Sequence, residues 1–245
     1  MRNLFFGFAV FVSILLFASC ATRSEKLLAE NGSASLALTD SLKIKMDFEF
    51  KTPEGKTENL SGMLFAVLGA RYRLELSTTF GISVASLLWN SGNWAVAFPT
   101  EKFYYQGSGN RIDLDGNFPP VDIHELASLF WGDVSERLKD TIAVTVDSSL
   151  SQVTVSGRDD QKQIQKVTRD FKGRILSVET LGLRGDERIH FQEWKAFETL
   201  WFPSKVELYQ EGENFLTLKI KNVVKNASWG AGIWKLPIPE SYERR

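Results

Sequence analysis

Between Leu42 and Phe50 every second residue is apolar: Leu42, Ile44, Met46, Phe48 and Phe50 alternate with Lys43, Lys45, Asp47 and Glu49. A period of two places successive side chains on opposite sides of an extended chain, so the segment reads as a strand with one dry face and one wet face. A helix would scatter the same side chains around its circumference. A strand with a dry face is not stable alone; it needs neighbouring strands and a layer over its apolar side, which commits the chain to a sheet.

The segments that follow supply those neighbours. Thr52-Pro53-Glu54-Gly55 is a turn, and Thr57 to Val67 returns as a strand that is apolar on both faces near its end, from Met63 to Val67. Tyr72, Leu74 and Leu76 alternate with Arg71, Arg73 and Glu75. After Thr78-Thr79-Phe80-Gly81 a strand runs from Ile82 to Trp89, with a slip of parity near Ala85-Ser86 that predicts a bulge. Asn90-Ser91-Gly92-Asn93 is a hairpin turn, Trp94, Val96 and Phe98 form the next apolar set, and Lys102 to Gln106 the strand after it. Six strands in a meander of this length are expected to twist and curl over a concave apolar face.

From Gly107 to Pro120 the chain is rich in Gly, Asn, Asp and Pro. From Val121 the spacing Val121, Leu126, Leu129, Phe130, with Asp122 and Glu125 near the start, predicts an amphipathic helix ending at Gly132. A helix between two runs of strands is placed to cover the open face. Strands resume with Ile142, Val144 and Val146 and continue in short-connected runs to Val223, for a total of eleven to thirteen, antiparallel by their connections. The tail Trp234-Lys235-Leu236-Pro237-Ile238-Pro239 reads as an edge or an irregular extended piece. Of the residues, 43% are apolar and 12% aromatic, with 18 Phe and 7 Trp, many of them inside alternating runs; that suits a β-protein with a large apolar interior. Trp94, Phe98, Phe130, Trp131 and Trp194 are equally readable as plain core and as the lining of a ligand cavity.

The start of the chain carries an address. Arg2 precedes a run from Leu4 to Ala18 that is almost wholly apolar, yet shorter than the roughly 20 residues a spanning helix needs. This is the layout of a secretory signal peptide. Ala18 and Ser19 directly before Cys20, the chain's single cysteine, resemble the bacterial lipobox, which implies a diacylglyceryl thioether and palmitate on Cys20 as a lipid anchor. The expected division is a signal peptide at 1–19, a lipidated tether at 20–32 and a single β domain at 33–245. The mature chain of 226 residues loses one cation, Arg2, and keeps 28 Lys+Arg against 30 Asp+Glu. Near-neutral charge argues against a nucleic-acid partner.

The sequence holds little that reads as catalysis. His124 and His190 have no ligand spacing between them, and no metal site is expected. They read as a surface and a half-buried structural histidine. There is no Gly-x-Ser-x-Gly elbow and no phosphate loop. Asp113-Leu114-Asp115-Gly116-Asn117 lacks the length and terminal Glu of a calcium loop and reads as a polar turn, and Arg184-Gly185-Asp186 as a hairpin turn. The expectation is a protein that is not an enzyme and takes no cofactor.

Several segments together resemble the lipoprotein-localisation family of LolA and LolB, with LolB and uncharacterised lipoproteins of the same fold the nearest in character. They are the anchored start, Tyr72 to Gln106, the helix, Arg188-Ile189-His190-Phe191, Phe202-Pro203-Ser204-Lys205-Val206-Glu207-Leu208 and Leu216-Thr217-Leu218-Lys219-Ile220. The resemblance implies a half-open antiparallel β-barrel with a helix over the concave face and an apolar cavity for the acyl chains of lipoproteins. The residues expected to line it are Ile44, Met46, Phe48, Tyr72, Leu74, Trp94, Val96, Phe98, Leu126 and Phe130. In LolB-type proteins an apolar residue protrudes between the third and fourth strands and helps deliver cargo into the membrane; Phe80 stands at that place, in a Thr-Thr-Phe-Gly loop that departs from the more usual Asn-Pro-Leu-Gly type. The implied role is acyl-chain binding and lipoprotein or lipid transfer at the periplasmic face of the outer membrane, with a soluble LolA-like carrier as a partner. Ala21, in place of the Asp that by resemblance signals inner-membrane retention, favours that membrane. The alternatives are a structural or assembly lipoprotein that uses the sheet for docking, and a carrier of another amphiphile.

Overall fold

The computed structural model describes residues 40–51, 55–114, 121–124, 127, 130, 140–158, 164–182, 185–198 and 200–245. Among them the strands are β1 (Ser41–Lys51), β2 (Thr57–Val67), β3 (Arg71–Thr78), β4 (Ser83–Asn90), β5 (Asn93–Phe98), β6 (Phe103–Ser108), β7 (Arg111–Ile112) and β8 (Val121–Asp122). They continue with β9 (Asp140–Asp147), β10 (Gln152–Arg158), β11 (Ile164–Asp170), β12 (Ile175–Gly182), β13 (Gly185–Phe197), β14 (Leu200–Gln210), β15 (Glu213–Lys225) and β16 (Glu243–Arg244). Fourteen of them hydrogen-bond in the order β16-β6-β5-β4-β3-β2-β1-β15-β14-β13-β12-β11-β10-β9, an open sheet with two ends, while β7 and β8 pair only with each other. The chain divides into two compact units: Leu36–Ala127 with Lys219–Arg245, and a second whose described part lies within Ser128–Leu218.

In the first unit the alternation of β1 becomes burial. Leu42, Ile44, Met46 and Phe48 are fully buried and Phe50 nearly so. The antiparallel register sets Ile44 beside Leu64, Met46 beside Gly62 and Phe48 beside Leu60. The row continues through Leu64↔Leu74, Leu74↔Leu87 and Leu87↔Val96 to Val96↔Tyr105. Each large side chain taken from water contributes about 1.5–3 kcal/mol, which makes this face the main stabilising layer of the unit. On the other face of β1, Asp47 pairs with Lys221 at 3.2 Å and Glu49 with Lys219 at 2.6 Å.

Phe65 also points to that second face, as the doubly apolar end of β2 predicts, and the C-terminal tail covers it. The Trp229 ring meets Phe65 edge-on at 5.7 Å. Beyond Trp229 a 3-10 turn (Ala231–Trp234) brings its carbonyls to Arg73, whose guanidinium donates to Ile233 O at 2.6 Å and to Lys235 O at 2.8 Å. The Arg71 guanidinium lies over the Trp234 ring at 5.3 Å. The tail then reaches the edge strand: β16 pairs in parallel with Phe103 and Tyr104 of β6, and the Arg245 guanidinium sits over the Phe103 ring at 4.2 Å.

The second unit is a meander from β9 to β14 continued by the first part of β15. One face carries Val155↔Val167, Val167↔Val178, Val178↔Ile189 and Ile189↔Leu208. Val167, Val178, Phe191, Val206 and Leu208 are buried. At β9, the last strand of the order, Ile142, Val144 and Val146 are 55%, 59% and 60% exposed. Among the described residues β9 pairs with β10 alone.

Several expectations are corrected. There are sixteen strands among the described residues rather than eleven to thirteen, because β7, β8 and β16 are two residues long and carry no readable alternation. The β16–β6 pair is parallel, since a tail that crosses a face can meet the edge strand running with it. Val121 is paired with Ile112 in β8 rather than helical, and helical backbone starts at Ile123. The bulge expected near Ala85-Ser86 is present: Leu76 faces Ala85 and Ser77 faces Ser83, which leaves Val84 as the extra residue of β4. His124 is half-buried and packed against aromatic rings rather than a surface residue.

Candidate functional site

The apolar face of the first unit gathers Ile44, Met46, Phe48, Tyr72, Leu74, Trp94, Val96 and Phe98, all buried. Two glycines shape it. At Gly62 a Cβ would run into the Phe48 ring and come within 3.2 Å of Met46 Cγ. At Gly107, paired with Trp94, a Cβ would strike the Trp94 ring, with Cε2 at 2.7 Å and Nε1 at 3.1 Å. Both rings thus occupy space beside neighbouring backbone that only glycine leaves open. Phe130 is buried within the second unit. Leu126 and Cys20 lie outside the described residues.

The polar atoms on this face are nearly all used. Tyr72 Oη accepts from the Gly69 amide at 3.0 Å and lies 3.2 Å from His124 Nδ1. The imidazole also stands edge-on to Trp89 at 5.0 Å, so the first turn after β8 packs on β3 and β4. Trp89 Nε1 donates to Gly109 O at 3.0 Å. Trp94 Nε1 is buried without a hydrogen-bond partner. Sequence reasoning missed His124 as part of this face, because a single histidine after a loop carries no periodicity; Ile123 and Ala127, four apart and both buried, hold the signal that was there to read.

Phe80 is the opposite case: its side chain is 92% exposed, and Ile82 beside it 60%. The loop that carries them is tightly bonded. The Gly81 amide donates to Thr78 O at 2.9 Å and the Thr78 amide to Ile82 O at 2.8 Å, while the Ile82 amide reaches Thr78 Oγ1 at 3.2 Å. Gly81 has φ +83°, the left-handed position that closes a type I turn with a bulge and that other residues fill only with strain. The turn therefore holds Phe80 outward at its tip.

On the second unit the face opposite the apolar row carries a polar cluster. Glu207, itself buried, accepts from Tyr209 Oη at 2.9 Å and Gln192 Nε2 at 2.8 Å and pairs with Lys205 Nζ at 2.6 Å. Burial pushes its carboxyl up, but the bonds from Lys205 and Tyr209 outweigh that and hold it below the usual carboxylate range. His190 stacks obliquely on Tyr209 at 5.2 Å; burial and the nearby Arg188 charge lower its pKa. The charges here answer one another, which is how a sheet satisfies polar groups it buries. Among the described residues no group of three His, Cys, Asp or Glu side chains is arranged to hold a metal ion, and no helix is long and apolar enough to cross a membrane.

No protein-family model and no curated protein matches the sequence. Solved structures do match. A domain described as an outer membrane lipoprotein-sorting protein from Vibrio parahaemolyticus aligns over 81% of this chain and 90% of its own, with TM-score 0.54 and 12% identity. A DUF1329 family protein from Desulfovibrio piger gives TM-score 0.53 at 12% identity over 80% and 90%. A LolA superfamily protein from Nitrosomonas europaea gives 0.52 at 10% over 81% and 91%. At such identities the likeness is one of fold, and the fold is LolA/LolB-like.

Proposed function

We propose that the chain is a lipid-handling protein of the bacterial envelope, anchored through an acylated Cys20, which shelters acyl chains against its apolar face and passes them to a membrane. In this reading residues 1–19 are removed, 20–32 are a tether, and 33–245 act as one LolA/LolB-like domain. The lining is Ile44, Met46, Phe48, Tyr72, Leu74, Trp94, Val96 and Phe98. No covalent catalysis is involved. The fold likeness to sorting domains supports lipid handling, and lipoproteins of the outer membrane, received from a soluble carrier, are the cargo class it favours.

The observation that carries the delivery step is Phe80, an aromatic ring 92% exposed at the tip of a hydrogen-bonded hairpin. Burying such a ring in a bilayer is worth at most about 1.5–3 kcal/mol, enough to orient a tethered protein but not to hold it there. An acyl chain gains about 0.8 kcal/mol per methylene in protein and bilayer alike, so release is downhill only if the protein holds the chain less well than the membrane does. The site should bury loosely, with few directional bonds.

Native mass spectrometry of anchor-free protein beginning at Ser24 tests the reading. Co-purified lipid, lost on delipidation and regained from vesicles, is the expected result; protein that carries no lipid and takes none up would end it. A second reading, a docking or assembly lipoprotein, is favoured by a different feature. The apolar side chains of β9 are exposed along an edge strand, the kind of surface on which another protein adds a strand.

A further inference from the structure

Among the described residues one buried side-chain polar atom has no partner, and it is Trp94 Nε1. Its surroundings make this informative. Trp94 lies on the apolar face, paired with Trp89 on one side and Gly107 on the other. It is only 7% exposed. Its ring rests on the Gly107 backbone, where any larger residue would force it away. The two other indoles in comparable places are satisfied: Trp89 Nε1 donates to Gly109 O at 3.0 Å and Trp194 Nε1 to Ile175 O at 3.2 Å. This fold therefore can provide acceptors for its tryptophans, and at Trp94 it does not.

An indole N–H buried without an acceptor carries a desolvation cost that no hydrogen bond offsets. Such an orphan is a sign of a group that arrives later. The ligand proposed above has one strong acceptor at the head of each otherwise apolar chain, its acyl carbonyl. We propose that Trp94 is a ligand-binding donor: its indole N–H takes the carbonyl oxygen of a fatty-acyl group bound against the apolar face of the first unit, with Gly107 keeping the ring in the plane from which it can donate. This rests on the lipid-handling reading and goes further, because it gives a loosely burying face one directional contact. That contact favours lipids with an acyl carbonyl over alkyl chains of equal length.

Purified full-length protein, unaltered or carrying Trp94→Phe, is titrated with diester phosphatidylglycerol, with the diether analogue of the same chain length, and with palmitate. The indole Nε1–H resonance of Trp94 is followed by 15N NMR. The expected result is a diester affinity roughly three- to tenfold above that for the diether, the worth of one hydrogen bond. The Trp94 resonance moves downfield with the diester and not with the diether. In Trp94→Phe the two lipids bind alike. A resonance that moves with palmitate but not with diester upholds the carbonyl contact and assigns it to a free fatty acid. Equal binding of diester and diether to the unaltered protein, with a Trp94 resonance that palmitate does not move either, overturns the inference while leaving lipid binding intact, as does an ester preference that survives Trp94→Phe. Binding of none of the three overturns it together with the reading on which it rests. Should Trp94→Phe fail to fold, the resonance of the unaltered protein still decides.

Discussion

Phe80 and Gly62 are single residues on which two different physical demands can be separated. Replacing Phe80 by Glu removes an exposed ring and disturbs no described partner, so the melting curve should shift by no more than about 0.5 kcal/mol. Transfer of a fluorescent lipopeptide to liposomes should slow in the same protein. A large loss of stability, or transfer at the original rate, would remove the case for a delivery role. Gly62 asks how tightly the apolar face is filled. Its missing Cβ is the space the Phe48 ring occupies, so Gly62→Ala forces that ring aside. Urea denaturation should show a loss of about 1–3 kcal/mol, the usual range for overpacking, with part of it recovered by adding Phe48→Leu. A loss well under 1 kcal/mol would mean that the ring has room to swing, which is what a face built to admit a ligand needs.

At the level of elements, the C-terminal tail behaves as a strap on the first unit. Few of its contacts are local: Trp229 against Phe65, Arg73 onto the carbonyls of Ile233 and Lys235, Tyr242 Oη donating to Pro99 O at 3.3 Å, and β16 beside β6. It covers apolar surface on a face whose other residues are charged, and it closes part of one sheet edge. Trp229→Ala should cost about 1–3 kcal/mol, the aromatic pair plus the half-buried ring, and should make the tail the first site of limited proteolysis. Unchanged stability and an unchanged cleavage pattern would show that the strap is held by β16 alone. Its helical counterpart, the turn that starts at Ile123, is fixed by His124 between Tyr72 and Trp89. On the last strand of the second unit, β9, Val144 and Val146 are exposed.

For the molecule as a whole, acid should destabilise in two steps that belong to the second unit. His190 is held below its ordinary value of 6.5 by burial and by Arg188, so between 6.5 and its folded value the unfolded chain binds a proton the folded one does not. Stability falls as pH drops through that window. Glu207 is held below 4.5 by Lys205 and Tyr209 despite its burial; its contribution is present above 4.5 and is lost as pH falls further through its folded value. His190→Gln should flatten the melting temperature in the window that opens below about pH 6.5 and leave the lower step, measured by thermal denaturation across pH. An unaltered upper slope would place its origin elsewhere. What the sequence determined by itself is everything that follows from a period of two: that Leu42 to Phe50 is a strand, which of its side chains are dry, that Tyr72, Leu74, Trp94, Val96 and Phe98 join them, and that Thr-Thr-Phe-Gly is a turn. Alternation is a local property, set by the backbone geometry of each strand. Tertiary structure alone decided which residues cover which face. Nothing local distinguishes Trp94, with no acceptor, from Trp89, which has one, since the difference lies in where Gly109 O falls across the sheet. Nor does any spacing bring Trp229 to Phe65 or Glu243 to Phe103, because those contacts join segments more than a hundred residues apart and depend on the path of the chain between them.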